Sequence, residues 1–258
     1  MDDNQKIKFL VEKTKEGVFT RAVEESTDIL VDQELVKGKG LRTEEELRKS
    51  CYQTVKRELH QKLEEIQKQF EEGFQIITTE IPTVLTGNDL RDYEAEMTAA
   101  RENLLQTEEG ALSGRMKSKG VPADFLGLTE KTMGAVYRIG YRHYEDKDFE
   151  NASKVFFFLT ALNPLVFDYW LAYGLASHQM KCYERALKCF ANAVFLDPAQ
   201  PLPRWYAAEA YLANGEVEDA FLEWQELEKL IKEHSLGEHW KEIENYLKEK
   251  IHYLKQQP

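Results

Sequence analysis

The chain is short of several things that would restrict what it does. Only three cysteines occur in 258 residues, Cys51, Cys182 and Cys189. An odd, sparse set in a chain long enough to bury its own core excludes a disulfide framework and points to a reducing, cytoplasmic setting. Basic side chains are the minority, 34 against 46 acidic, a formal charge of -12. Such a surface repels phosphate backbones and anionic lipid, so nucleic acid is not an expected partner. No apolar run approaches the roughly 18 residues that a membrane span needs, and the opening MDDNQKIKFLVEKTKEG has no apolar h-region, so neither insertion nor export is expected.

Catalytic and metal-binding patterns are also missing. "GKG" at Gly38–Gly40 lacks the spacing of a phosphate-cradling loop. His60, His143, His178, His234, His239 and His252 form no H-E-x-x-H pair, and His234 and His239, five apart, do not share a helical face. Cys182 and Cys189 are seven apart, hence on one face of a helix, but two thiols do not close a zinc site and read as small buried hydrophobes. Glu44, Glu45 and Glu46 after Thr43 read as a capped, solvated first helical turn. Neither a nucleophile with its base nor a working pair of carboxylates emerges, so the expectation is a protein that binds, with no enzyme activity, no cofactor and no metal. An active site within residues 1–112 is the rival that spacing alone leaves standing.

What is present is periodicity. Leu47, Cys51, Val55, Leu59, Leu63, Ile66 and Phe70 step by three or four through a charged background, and Leu90, Tyr93, Met97, Ala100 and Leu104 do the same. Both predict amphipathic helices with one face for a neighbour or a partner chain. Between them FQIITTEIPTVLTG, residues 74–87, is β-branched and holds Pro82, which predicts a loop or short strand. The stretch from Ala111 to Thr129 carries Gly114, Gly120, Gly127 and Pro122 without periodicity, the composition of a linker. The expected organisation is therefore a helical N-terminal region over 1–112, a linker over 113–129 and a second domain over 130–258.

That second domain repeats itself every 34 residues. Ala152, Ala186 and Ala220 align, as do Phe156, Phe190 and Trp224, Gly140, Gly174 and Ala208, and Pro164 and Pro198. A repeat of this length is one helix pair that cannot bury its apolar face alone and stacks on its neighbours. Small residues let the two helices of a pair approach, large aromatics fill the space between them, and proline ends the second helix because it lacks an N–H and clashes inside one. The third unit has Lys232 in place of proline, so its second helix is expected to run on. Trp240, Ile243, Leu247, Ile251 and Leu254 then predict one further, capping helix.

Trp170, Gly174, Ala186, Phe190, Ala193 and Pro198 resemble the tetratricopeptide repeat, matching six of its eight signature positions in the middle unit. The expected fold class is an all-α solenoid of three helix pairs with a capping helix and an N-terminal helical extension. Residues of about 125–235 carry an aromatic-rich first helix and the join LDP-x-x-P-x-x-x-x-x-A-A-E from Leu196 to Glu209. In these they resemble the class II chaperones of bacterial type III secretion. The resemblance implies a cytoplasmic, commonly dimeric chaperone for hydrophobic translocator proteins, holding a P-x-L-x-x-P segment in the concave groove of its repeats. The first ~110 residues exceed what the family usually carries and are left unexplained by it.

The repeat ruler places the groove. Its inward positions are Tyr137, Tyr141 and Tyr144 in the first unit, Leu171, Leu175 and His178 in the second, and Trp205, Glu209 and Leu212 in the third. Such a face suits an extended apolar peptide. The alternative is a generic tetratricopeptide scaffold or a co-chaperone that clamps a carboxylate tail. That clamp needs Lys, Arg and Asn where this chain has Tyr137, Tyr141, Ala172, Leu202 and Tyr206.

Overall fold

The computed structural model describes residues 44–105, 120–233 and Tyr246. Nine helices carry the described chain: α1 Glu44–Val84, α2 Asn88–Leu105, α3 Pro122–Leu126, α4 Glu130–Glu145, α5 Phe149–Leu162, α6 Phe167–Gln179, α7 Tyr183–Leu196, α8 Pro201–Asn214 and α9 Val217–Glu233. Among the described residues there is no strand. Helices α4 to α9 form three consecutive pairs, each packed on the next, and the all-α repeat architecture read from the 34-residue period is the observed one. The "GKG" stretch, Thr43 and all of the capping-helix positions from Trp240 to Leu254 lie outside the described residues.

The backbone repeats with the sequence. Each pair turns through a residue with positive φ, Lys147 (62°), Lys181 (60°) and Gly215 (85°). At each turn the following N–H reaches back to the first helix, from Asp148 to the His143 carbonyl, Cys182 to Ser177 and Glu216 to Tyr211, each at 2.9 Å. These six-to-one bonds satisfy carbonyls that the ending helix would otherwise leave bare. The second helices of the first two pairs stop at Asn163 and Asp197, whose side-chain oxygens each accept from the N–H two residues on, at Leu165 and Ala199, both at 3.1 Å. In the third pair the corresponding position is the buried Ile231 and no proline follows, so α9 runs 17 residues against 14 for α5 and α7.

Inside each pair one contact sets the spacing. A methyl group on Gly140 would stand 2.7 Å from the Phe156 ring, and one on Gly174 would stand 2.5 Å from the Phe190 ring. Both phenylalanines and their counterpart Trp224 have at most 1% of their surface exposed. In the third pair Ala208, itself fully buried, packs with Trp224.

Residues 74–84 are helical, contrary to the loop or strand expected from their composition. Ile77, Ile81 and Leu85 fall four apart and are buried at 1%, 3% and 4% exposure, so tertiary burial overrides β-branched propensity. The Thr78 and Thr79 hydroxyls donate to the carbonyls four residues back, at 2.8 and 2.9 Å. Pro82 lacks the N–H that would bond the carbonyl four residues back, and it falls in the last turn, two residues before the helix ends at Val84.

The division of the chain also differs from the expected cut near 112. Residues 72–90 belong to one compact unit with 130–258, and the other unit joins residues up to 71 with 91–129. In the repeat unit, Gly73 lies against the Lys154 backbone, where an added methyl would stand 2.5 Å from the carbonyl oxygen. Phe74 stacks on Phe158 at 6.0 Å, and Lys154 pairs with Glu72 at 3.1 Å. Glu80 accepts from Arg142 and faces His143 Nε2 at 2.8 Å, while His143 Nδ1 faces Asp148, which caps α5. These contacts cover the first pair where a preceding repeat would stack. In the other unit the described part of the expected linker, from Gly120, carries α3, which follows Val121 and buries Ala123 and Phe125, and Thr129 donates to Glu96 from both N–H and hydroxyl.

Because Phe190 occupies the space a methyl would need, Gly174→Ala is expected to destabilise the fold by about 1–3 kcal/mol through overpacking. Urea unfolding followed by circular dichroism reads this directly, and an unchanged midpoint would show that the ring has room to move.

Candidate functional site

The first helices of the three pairs, α4, α6 and α8, also touch one another, so their inward residues form one surface. Tyr137 packs its ring 5.5 Å from Phe156 and 5.9 Å from Tyr169 at the start of α6. Tyr144 meets Phe149 edge-on at 5.3 Å. Tyr141, between them on α4, is 49% exposed. Leu171 and Leu175 pack with Tyr206 on the buried cluster of Ala186, Phe190 and Ala207. Trp205 and Leu212 pack on Ala208, Trp224, Leu227 and Ile231, and Glu209 lies half-buried between them on α8.

His178 sits where the second and third pairs meet. Its ring is edge-on to Tyr183 at 5.6 Å and to Tyr206 at 5.9 Å, and neither ring nitrogen has a hydrogen-bond partner. Burial among these rings pushes its pKa below the ordinary imidazole value. Burial likewise pushes the Tyr137, Tyr144 and Tyr169 phenols up. For Tyr144 the nearby Tyr206 phenol adds to that push, and a hydrogen bond with the Gln179 side chain opposes it. At neutral pH the His178 imidazole and these phenols are uncharged, and the rings are amphipathic, the chemistry that anchors a peptide by burial.

The positions read from the repeat ruler therefore divide. Tyr141 is presented outward, whereas Tyr137, Leu171, Leu175, Trp205 and Leu212 each spend part of their surface on packing between helices. Tyr169 and Gln179 join the surface without having been assigned to it, and Tyr206, counted from the sequence only as a carboxylate-clamp position, joins it too. Tyr206 directly follows Trp205, so counting by three and four from Trp205 steps over it; the face is two rows wide, and one stripe captures only one row.

The thiols take no part. Burial raises the Cys189 thiol to about 12, which keeps it protonated and unreactive, and Cys182 is the residue that precedes α7 rather than part of that helix. Among the described residues no three His, Cys, Asp or Glu side chains gather as a metal site, and no helix is long and apolar enough to cross a membrane.

The burial of neutral His178 has a consequence for stability. An unfolded chain takes up a proton near pH 6.5, while the folded chain resists it, so unfolding is favoured as pH falls through about 6.5. His178→Phe is expected to flatten the loss of stability between pH 7 and 5.5, measured as the urea midpoint at each pH. Identical slopes for parent and variant would show that the imidazole is as well solvated folded as unfolded.

Over 110 residues the chain is 26% identical to the low calcium response locus protein H of Yersinia pestis, and equally so to the protein of that name from Yersinia pseudotuberculosis. The matched stretch is 43% of this chain and 66% of those curated relatives, just under two thirds of their length. No family model matches the chain. Among solved structures, a chain of a type III secretion system complex from Aeromonas hydrophila is similar at 20% identity and a TM-score of 0.51, covering 57% of this chain and 96% of that one. The type III secretion translocator chaperone SycD of Yersinia enterocolitica is similar at 22% identity and a TM-score of 0.46, over 52% of this chain and 98% of that one. The chain thus has the helical-repeat fold and, over its repeats, resembles the class II chaperones of type III secretion.

Proposed function

We propose that this protein is a cytoplasmic chaperone for a hydrophobic translocator of a type III secretion system, acting by binding and without chemistry. An extended apolar segment of the cargo lies along the first helices of the three pairs. The observation that carries this reading is the aromatic surface running across α4, α6 and α8, with Tyr141 presented to solvent. The sequence match to the low calcium response proteins over the repeats supports it. A segment held in such a groove is kept from aggregating, because its apolar side chains are removed from water against the Tyr and Trp faces.

The test must separate binding from folding. Leu175 packs on the Phe190 cluster, so truncating it would disturb the fold as well as the surface. Tyr141 and Leu202, at 49% and 39% exposure, are better probes. Tyr141→Ala with Leu202→Ala is expected to weaken a P-x-L-x-x-P peptide by roughly 2 to 4 kcal/mol in total, as loss of interface anchors commonly does. Calorimetric titration at low and high salt should give the same loss, since apolar burial is not screened. A double variant that keeps its helicity and binds like the parent would move the binding surface elsewhere.

The chain is further proposed to act as a homodimer. In the N-terminal unit, the α1 stripe leaves Ile66 50% exposed and Leu59, Leu63 and Phe70 half-buried, while Val55 is buried. A second copy would cover such a stripe by helix–helix packing. Light scattering across the micromolar range should return twice the 30.1 kDa chain mass. A monomeric mass throughout would refute dimerisation without touching the groove.

A further inference from the structure

The 34-residue ruler sets one face of α5 beside the matching face of α7, and the two are treated differently. On α5 the chain covers the face itself: Lys154 pairs with Glu72 at 3.1 Å and with Glu150 at 2.8 Å, and Phe158 is buried under the Phe74 ring. Asn151, on the same face, is occupied with Asp148, to which its side-chain N–H donates at 2.8 Å. Counting on by 34, these positions become Arg185 for Asn151, Lys188 for Lys154 and Asn192 for Phe158. Lys188 and Asn192 are exposed. The carboxylate that would stand nearest Arg185 is gone, because the residue matching Asp148 is Cys182.

Arg185 is nevertheless held in place. Its guanidinium stands 5.8 Å from the centre of the Tyr173 ring, its Nε donates to Ser177 Oγ at 3.0 Å, and a terminal nitrogen meets Met180 Sδ at 3.8 Å. Tyr173 and Ser177 are both buried, so the platform under the guanidinium is fixed. The other two half-buried arginines described in the repeat unit each have an acid, Arg142 with Glu80 and Arg204 with Glu223. Among the described residues no carboxylate pairs with Arg185 or Lys188, and that includes Glu184, the single acid of α7. In a chain with 46 acidic and 34 basic side chains, two cations one helical turn apart without acids are out of keeping with the whole. Serine and methionine use only part of the guanidinium fork, and the remaining N–H groups have the geometry that grips a carboxylate.

We propose that this face of α7 is a docking surface for an acidic helical segment of a partner protein, whose carboxylates, one turn apart, meet Arg185 and Lys188. The chain supplies the template in its own first pair, where a helix carrying Glu72 lies on the matching face of α5. The occupant of α7 differs in one respect. Where α5 offers Phe158 to an aromatic ring, α7 offers Asn192, so recognition here is by charge and hydrogen bonding and not by apolar burial. Such contacts are made and released readily and weaken with salt, in contrast to the apolar groove. The surface is separate from the groove and does not depend on that reading.

The experiment uses the full chain and a labelled alanine-based helical peptide with glutamates three and four residues apart, read by fluorescence anisotropy; the same peptide with glutamine in place of glutamate is the control. The parent should bind the glutamate peptide about tenfold more tightly than the control at low salt, as charge-assisted hydrogen bonds commonly allow. That preference should shrink in 0.5 M salt, about five times the concentration at which the screening length is roughly 10 Å. Arg185→Gln and Lys188→Gln should each remove most of it, and Lys188 is exposed, so its variant tests binding without touching the core. A parent that does not distinguish the two peptides, or a Lys188→Gln variant that binds like the parent, would overturn the proposal. Inorganic phosphate that displaces the peptide at equal concentration would replace the helical partner with any small anion. A drop in the light-scattering mass on Lys188→Gln would make the occupant a second copy of this chain, and so refute the separate partner.

Discussion

The structure depends on a small residue set against a large aromatic within each helix pair. Gly140 against Phe156, Gly174 against Phe190 and Ala208 against Trp224 fix how closely the first and second helices approach. That distance, repeated every 34 residues with the same turn bonds, sets how each pair lies on the next. Stacked pairs bury a continuous core that no pair could bury alone. The order of α4 to α9 follows from it, as does the alignment of α4, α6 and α8 along one surface.

That surface is a by-product of the core. Once Phe156, Phe190 and Trp224 occupy the interior, the inward sides of the first helices must be finished with residues that pack laterally and still tolerate water. Tyrosine meets both demands: Tyr137 with Tyr169, and Tyr206 with His178, link neighbouring pairs through their rings, and the Tyr144 side chain reaches Gln179 of the next pair. His178 is the exception, an imidazole held neutral among rings with no partner for either nitrogen. Binding and packing are therefore duties of the same residues.

The first pair needs a neighbour on its outer side, and residues 72–90 supply it. Ile77, Ile81 and Leu85 are buried, and Gly73 allows the close approach to α5. Charged groups then set the register, with Glu80 joined to Arg142 and His143 and Glu72 to Lys154. Partly buried, multiply bonded pairs of this kind contribute more than isolated surface pairs, and their chief effect is to specify one arrangement. At the other end the absence of a proline at Lys232 lets α9 continue, and beyond it Tyr246 meets the Trp205 ring.

The sequence alone determined the repeat, because helix-pair stacking imposes residue size at fixed intervals: glycine where a methyl would strike a ring, proline where a helix must stop. The longer second helix of the third pair follows from the same ruler. Two matters were decided only by tertiary structure. Residues 74–84 have the local composition of a strand or loop, and they are helical because burying Ile77, Ile81 and Leu85 outweighs the cost of β-branched residues in a helix. Tyr206 and Tyr169 enter the surface because α6 and α8 present two rows of side chains to their neighbours, and the second row is set by how the helices cross, which no spacing within a single helix encodes.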